Sequence, residues 1–157
     1  MDIVGKTTIN PILFYTGKIS GYITWIILLL LMLGIDLIKR LSFGYNDYIS
    51  YVILLIGLVF VIFSSINLGS STRLGLPYEN TVFKTNGLYT ISRNPMYLGF
   101  NLITISSLIY TLNLWVMILG IYSIIIYHLI ILGEEKFLEK RFGKEYANYK
   151  EKIRRYL

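Results

Sequence analysis

The sequence contains no cysteine, which excludes disulfide frameworks, thiol nucleophiles and cysteine-ligated metals. It has a single histidine, His128, and one imidazole alone does not build a zinc site. Charge is scarce: Asp, Glu, Lys and Arg together make up 15% of the chain, against about 25% in an ordinary globular domain. There is also no glycine-rich phosphate cradle, no GxSxG nucleophile elbow and no HExxH pair. Nucleotide-triphosphate hydrolysis, serine hydrolysis and zinc proteolysis therefore lose their usual sequence carriers.

What the sequence has in excess is apolar surface. Hydrophobic residues reach 55% of 157 residues, with a mean hydropathy of +0.60, more than one soluble core of this size hides. The composition predicts a small, single-domain integral membrane protein covering 1–157. The net charge of +6 is local, since eight of the fifteen Lys and Arg lie after position 133, beside five of the nine acids. These charges abut apolar runs, so an anionic membrane surface is the expected partner and nucleic acid is not.

The apolar runs predict an all-α, polytopic protein with about four transmembrane helices at 19–38, 48–68, 95–110 and 114–132. Twenty residues at about 1.5 Å each reach ~30 Å, the thickness of a hydrocarbon core. Gly17 and Gly21 form a lone GxxxG at the head of the first run, expected to be incidental. Pro95 suits the first turn of the third run, which is short enough to need a neighbour. Thr111, Leu112 and Asn113 predict a tight reversal, so the last two runs form an antiparallel hairpin.

Between the second and third runs lies the one long polar stretch, 69–94, where function is expected to gather. From Glu134 the chain turns charged, and Phe137, Leu138, Phe142, Tyr146, Tyr149 and Ile153 recur at helical spacing. That predicts an amphipathic interfacial helix within a tail at 134–157. With four crossings, thirteen of the fifteen Lys and Arg share one side with both termini, which is therefore expected to be cytosolic. The fourteen tyrosines are expected to serve an aromatic belt.

Hairpin geometry forces a convergence. The third run begins where the fourth ends, so Arg93-Asn94-Pro95-Met96-Tyr97 must lie near Glu134 and Glu135. Arg93 is the expected partner for a carboxylate there. On residue chemistry alone a salt-bridged helix boundary and a ligand site weigh equally. His128, seven residues from Glu135 and on the same helix face, is expected to be a hydrogen-bonded interior histidine.

Gly87-Leu88-Tyr89, then Arg93-Asn94-Pro95-Met96-Tyr97-Leu98-Gly99, a hairpin, Glu134-Glu135, Phe142-Gly143, Tyr146, Tyr149 and Arg155 form an ordered set. It resembles the isoprenylcysteine carboxyl methyltransferase family, itself similar to the membrane phospholipid methyltransferases, over roughly residues 69–157. The resemblance implies S-adenosylmethionine as cofactor, held under the long loop. It implies Thr81, Val82, Phe83, Lys84, Tyr89, Asn94, Pro95, Met96, Tyr97 and Glu134 as its contacts. Arg93, Glu135 and Arg155 are the substrate-binding candidates, and no residue is assigned a catalytic or metal-binding role. Two departures stand out. Asn94 replaces the family's histidine, and Ile130 replaces a substrate-facing arginine one turn before the first glutamate.

Methyl transfer from a sulfonium is an in-line displacement that needs alignment and desolvation more than acid–base help. The resemblance implies a carboxyl O-methyltransferase-like enzyme acting on a lipid or lipid-anchored acceptor from the bilayer. A phospholipid N-methyltransferase and a non-catalytic membrane adaptor are the alternatives, and a sterol-type reductase would need a nicotinamide site the sequence does not offer. Because Ile130 cannot pair with a carboxylate, a minimal farnesyl-cysteine is expected to be a poor acceptor.

Overall fold

The computed structural model describes residues 7–69 and 83–157. Among them all regular structure is helical: α1 (Pro11–Met32), α2 (Tyr45–Leu68), a 3₁₀ turn (Gly87–Thr90), α3 (Pro95–Thr111), α4 (Leu114–Phe142) and α5 (Lys144–Lys152). Among the described residues three helices, α1, α2 and α4, are long and apolar enough to cross a membrane. At 17 residues α3 is the shortest of the apolar helices, and it lies chiefly against α2.

The first helix differs from the run expected at 19–38. It starts at Pro11 because Asn10 caps it, its side chain accepting from the Ile12 amide at 2.9 Å, with proline in the first turn. It stops at Met32 because Gly34 takes φ 80, so that its own N–H reaches the Leu31 carbonyl and the next N–H, of Ile35, reaches Leu30. Lys18, which the apolar run leaves outside the helix, therefore lies within it.

Gly17 and Gly21 are not incidental. A Cβ at Gly17 would sit 2.3 Å from Ile126 Cγ2, and one at Gly21 would sit 2.5 Å from Ser123 Oγ. The pair lets α1 and α4 approach closely, as small-residue spacing does in membrane helices. A second small-residue seam joins α2 to α3. The glycines Gly57 and Gly99 meet there backbone to backbone, and the Ser50 and Ser106 hydroxyls each donate to the other residue's carbonyl at 2.9 Å. Most of α2 outside that seam is exposed apolar surface.

The reversal between α3 and α4 is as tight as expected. Leu112 adopts a left-handed φ of 43°, and the Asn113 side chain caps α4 by accepting from Trp115 N at 3.0 Å. The charged tail, expected as one interfacial helix from Glu134, is instead divided. Its first part simply continues α4 to Phe142, Gly143 at φ 51 breaks the axis, and the nine-residue α5 folds back. The aromatic stripe of α5 turns inward: Tyr146 is 1% exposed and packs beside Phe83 and Tyr149.

Candidate functional site

At one end of the bundle α1 begins, α2 ends, α3 begins and α4 reaches its glutamates. Here the expected convergence of Arg93 with the two glutamates is present, but the two adjacent carboxylates have opposite fates.

Glu135 is saturated. Arg93 donates to Oε1 through Nε and Nη2 at 3.1 and 3.0 Å, and Asn94 Nδ2 adds a third bond at 3.2 Å. Arg155 donates to Oε2 through Nε and Nη2 at 3.1 and 2.9 Å. The Arg93 and Glu135 side chains are only 7% and 6% exposed, so this pair is interior, with Arg155 at 32% closing the triad from the solvent side. The remaining Arg93 nitrogen donates to the Lys150 and Ile153 carbonyls at 3.1 and 2.9 Å, tying the end of α5 down. Hydrogen bonding to Glu135 holds the Arg155 guanidinium above its ordinary pKa.

The chain end is zipped against the segment before α3. Arg93 N donates to the Arg154 carbonyl at 2.9 Å, and Ser92 Oγ and Asn94 Nδ2 donate to the Arg155 carbonyl at 3.1 and 3.3 Å. His128 Nδ1 lies 2.7 Å from the Tyr156 hydroxyl, so the lone histidine is hydrogen-bonded as expected, though half-buried rather than interior. Two residues seven apart on α4 thus grip the consecutive pair Arg155-Tyr156. Beside them Phe83 stacks on Phe142 at 5.0 Å, and the Tyr149 hydroxyl donates to the Tyr89 carbonyl at 2.6 Å. Burial pushes the Tyr149 phenol up to about 12.

Glu134 projects from the other side of the same turn. Its carboxylate accepts one hydrogen bond among the described residues, from the Tyr97 hydroxyl at 2.6 Å. The Tyr97 ring in turn packs on Tyr127 and Phe100, with centroids 5.7 and 6.2 Å away. Tyr89 and Lys18 are within electrostatic reach of Glu134.

The structure therefore sorts the sequence candidates into groups. Tyr89, Tyr97 and Glu134 form one cluster, with Pro95 and Met96 opening α3 beside it. Phe83 lies in the aromatic stack under α5, and Lys84 reaches the Gly69 end of α2. The Asn94 amide is directed to Glu135 and the chain end. Arg93, Glu135 and Arg155 bind one another. Thr81 and Val82 lie outside the described residues. Ile130 is wholly buried in an apolar cluster with Phe14, Ile126 and Tyr127. Lys18 and the clamp role of Tyr149 escaped the sequence reading. The available signal for Lys18 was a single charge preceded by the apolar stretch Ile12-Leu13-Phe14.

A helical hairpin, an arginine-locked carboxylate and a second carboxylate bonded only by Tyr97 among the described residues thus lie together at one end of the bundle. The chain belongs to the phospholipid methyltransferase family, whose model matches residues 46–145. No curated protein matches it. The matched region runs from α2 into α5, so α1 with Lys18, and the chain end with Tyr149, Arg155 and Tyr156, are contributed from outside it.

Proposed function

We propose that the protein transfers a methyl group from S-adenosylmethionine to the amine headgroup of a membrane phospholipid. The observation that carries this reading is Glu134: a carboxylate bonded once among the described residues, by a Tyr97 whose ring packs on Tyr127. Such a setting suits a sulfonium or an ammonium, which is attracted by a carboxylate and by aromatic faces. When bound, the donor supplies an electrophilic methyl group on its sulfonium. The chain's own residues hold and orient: Tyr89, Tyr97 and Glu134 at the charged end, Pro95 and Met96 at the start of α3, and Phe83 and Lys84 along the loop. Asn94 acts at one remove, steadying the loop through Glu135.

The family resemblance to isoprenylcysteine methyltransferases would instead put a carboxylate at the acceptor position. Three observations weigh against that. Ile130 is sealed in apolar packing, and Arg93 and Arg155, the two residues that would replace the missing arginine, are both engaged by Glu135. A buried substrate carboxylate left without a cation is costly. An amine needs a group that accepts its proton, and Glu134 is placed for that while His128 is held by Tyr156.

The test is a radiolabelled methyl-transfer assay on detergent-purified protein, with phosphatidylethanolamine and farnesyl-cysteine as acceptors. Base-stable label on the phospholipid is expected. Rapid base-labile ester on farnesyl-cysteine would restore the carboxyl reaction, and binding of NADPH without S-adenosylhomocysteine would point to a reductase. The same reading puts both termini and the site on the cytosolic face, with four crossings. Reporters fused at Leu157 and inserted within 42–46 should then score on opposite sides.

A further inference from the structure

Lys18 is the only charged side chain in α1. It stands seven residues past Pro11, about 10 Å along the helix axis. Its Nζ sits 4.1 Å from the centroid of the Phe14 ring, and among the described residues it has no carboxylate within ion-pair distance. Charges inside membrane helices are expensive and usually mark a site or a partner. The Phe14 ring beneath it belongs to the cluster on which Tyr97 packs, so the ammonium is on the side of the bundle where Tyr97 meets Glu134.

Lys18 and Glu134 feel each other's charge without forming an ion pair. A cation and an anion facing one site, but kept apart, match a zwitterion whose two charges are separated by a short linker. A phosphatidylethanolamine headgroup is such a group, with its phosphodiester and its ammonium joined through two carbons. Further along the same α1–α4 seam the buried Ser123 and Tyr127 hydroxyls have no hydrogen-bond partner among the described residues.

We infer that Lys18 is the specificity residue for the acceptor, taking the lipid phosphodiester so that the amine is presented to Glu134. This rests on the phospholipid reading above and deepens it. It also explains how a chain with isoleucine at position 130 recognises an anionic group: the cation comes from a different helix, outside the segment that the family model matches.

The experiment measures binding and turnover separately. Binding of short-chain phosphatidylethanolamine, of dihexanoylglycerol and of inorganic phosphate is followed by the fluorescence of Trp25, two turns along α1 from Lys18. Lys18→Gln should weaken phosphatidylethanolamine binding about ten-fold, Lys18→Arg should restore it to within about three-fold, and the phosphate-free glycerolipid should bind wild type and Lys18→Gln alike. In the methyl-transfer assay the Lys18→Gln loss should appear in KM rather than kcat, with S-adenosylhomocysteine binding retained as the check on folding. Equal phospholipid affinity of wild type and Lys18→Gln overturns the inference, as does equally strong capture of inorganic phosphate, which would mark a generic anion site. If the binding difference is present while wild type methylates no phospholipid, the acceptor reading fails and the Lys18 headgroup site stands.

Discussion

Glu134 and Glu135 are neighbours in sequence and opposites in circumstance. Glu135 faces the chain end, where two arginines and an asparagine fill its oxygens and the interior shuts around it. Glu134 faces α1 and α3, bonded only by Tyr97 among the described residues. Successive residues on a helix point about 100° apart, so one doublet serves two surfaces. The closed side is locked by ion pairs, and the proposed function gives the open side to the ligand. One carboxylate of the pair is thus structural, and the proposed function makes the other the one that meets donor and acceptor.

The largest expected effect tests the closed side. Glu135→Gln leaves Arg93 buried without a counter-charge, and breaking a buried pair from one end costs about 3 kcal/mol or more. Unfolding in a mixed-detergent titration should register the loss, together with faster proteolysis of the tail after Gly143. Wild-type stability in this variant would show that the triad is ornamental.

The next effect belongs to the open side. Glu134→Gln should weaken S-adenosylhomocysteine or S-adenosylmethionine binding by about 1 kcal/mol, roughly five-fold, with little change in unfolding. Calorimetry separates the two glutamates cleanly: a variant pair with exchanged phenotypes would reverse the assignment. Tyr97→Phe in the Glu134→Gln background should add little, because the two side chains act through one hydrogen bond.

A smaller effect is expected from Tyr149→Phe, which removes the hydroxyl bonded to the Tyr89 carbonyl and costs about 1 kcal/mol. Burial raises this phenol in the folded protein to about 12, so folding favours its neutral form. The contribution is complete below the ordinary tyrosine value of about 10 and fades as the pH climbs through 12. Hydrogen exchange in α5 should therefore accelerate over that window in wild type, and much less in Tyr149→Phe. Lys140→Gln, on an exposed position of the same α4 extension, should change stability by under about 0.5 kcal/mol.

Much of this was legible in the sequence, for reasons that differ by element. Long apolar runs disclose helices directly, and the hairpin at Leu112-Asn113 brings Arg93 to the glutamates as a matter of geometry. The start of α1 was hidden because Lys18 reads as a boundary, whereas Asn10 and Pro11 are the cap. The division of the tail was hidden because an aromatic stripe at helical spacing fits a membrane surface and an interior equally well. Only the packing of Phe83 against Phe142 and Tyr146 decides between them. The separate partners of Glu134 and Glu135 depend on the chain end folding back, which no local pattern encodes. The GxxxG of α1 was read as chance, yet Ile126 and Ser123 occupy the space it leaves.

The two-residue link between α3 and α4 bears on how the protein is assembled in the bilayer. Closing so short a loop carries little entropic cost, whereas joining α2 to α3 means closing the longer stretch between Leu68 and Pro95. The hairpin is therefore the pairing that needs the least chain closure, and the short α3 is tied to α4 as soon as both are made. Tyr97, Glu134 and Glu135 are delivered on that hairpin, whereas Tyr149 and Arg155 arrive afterwards with the chain end, and α1 with Lys18 is made before either.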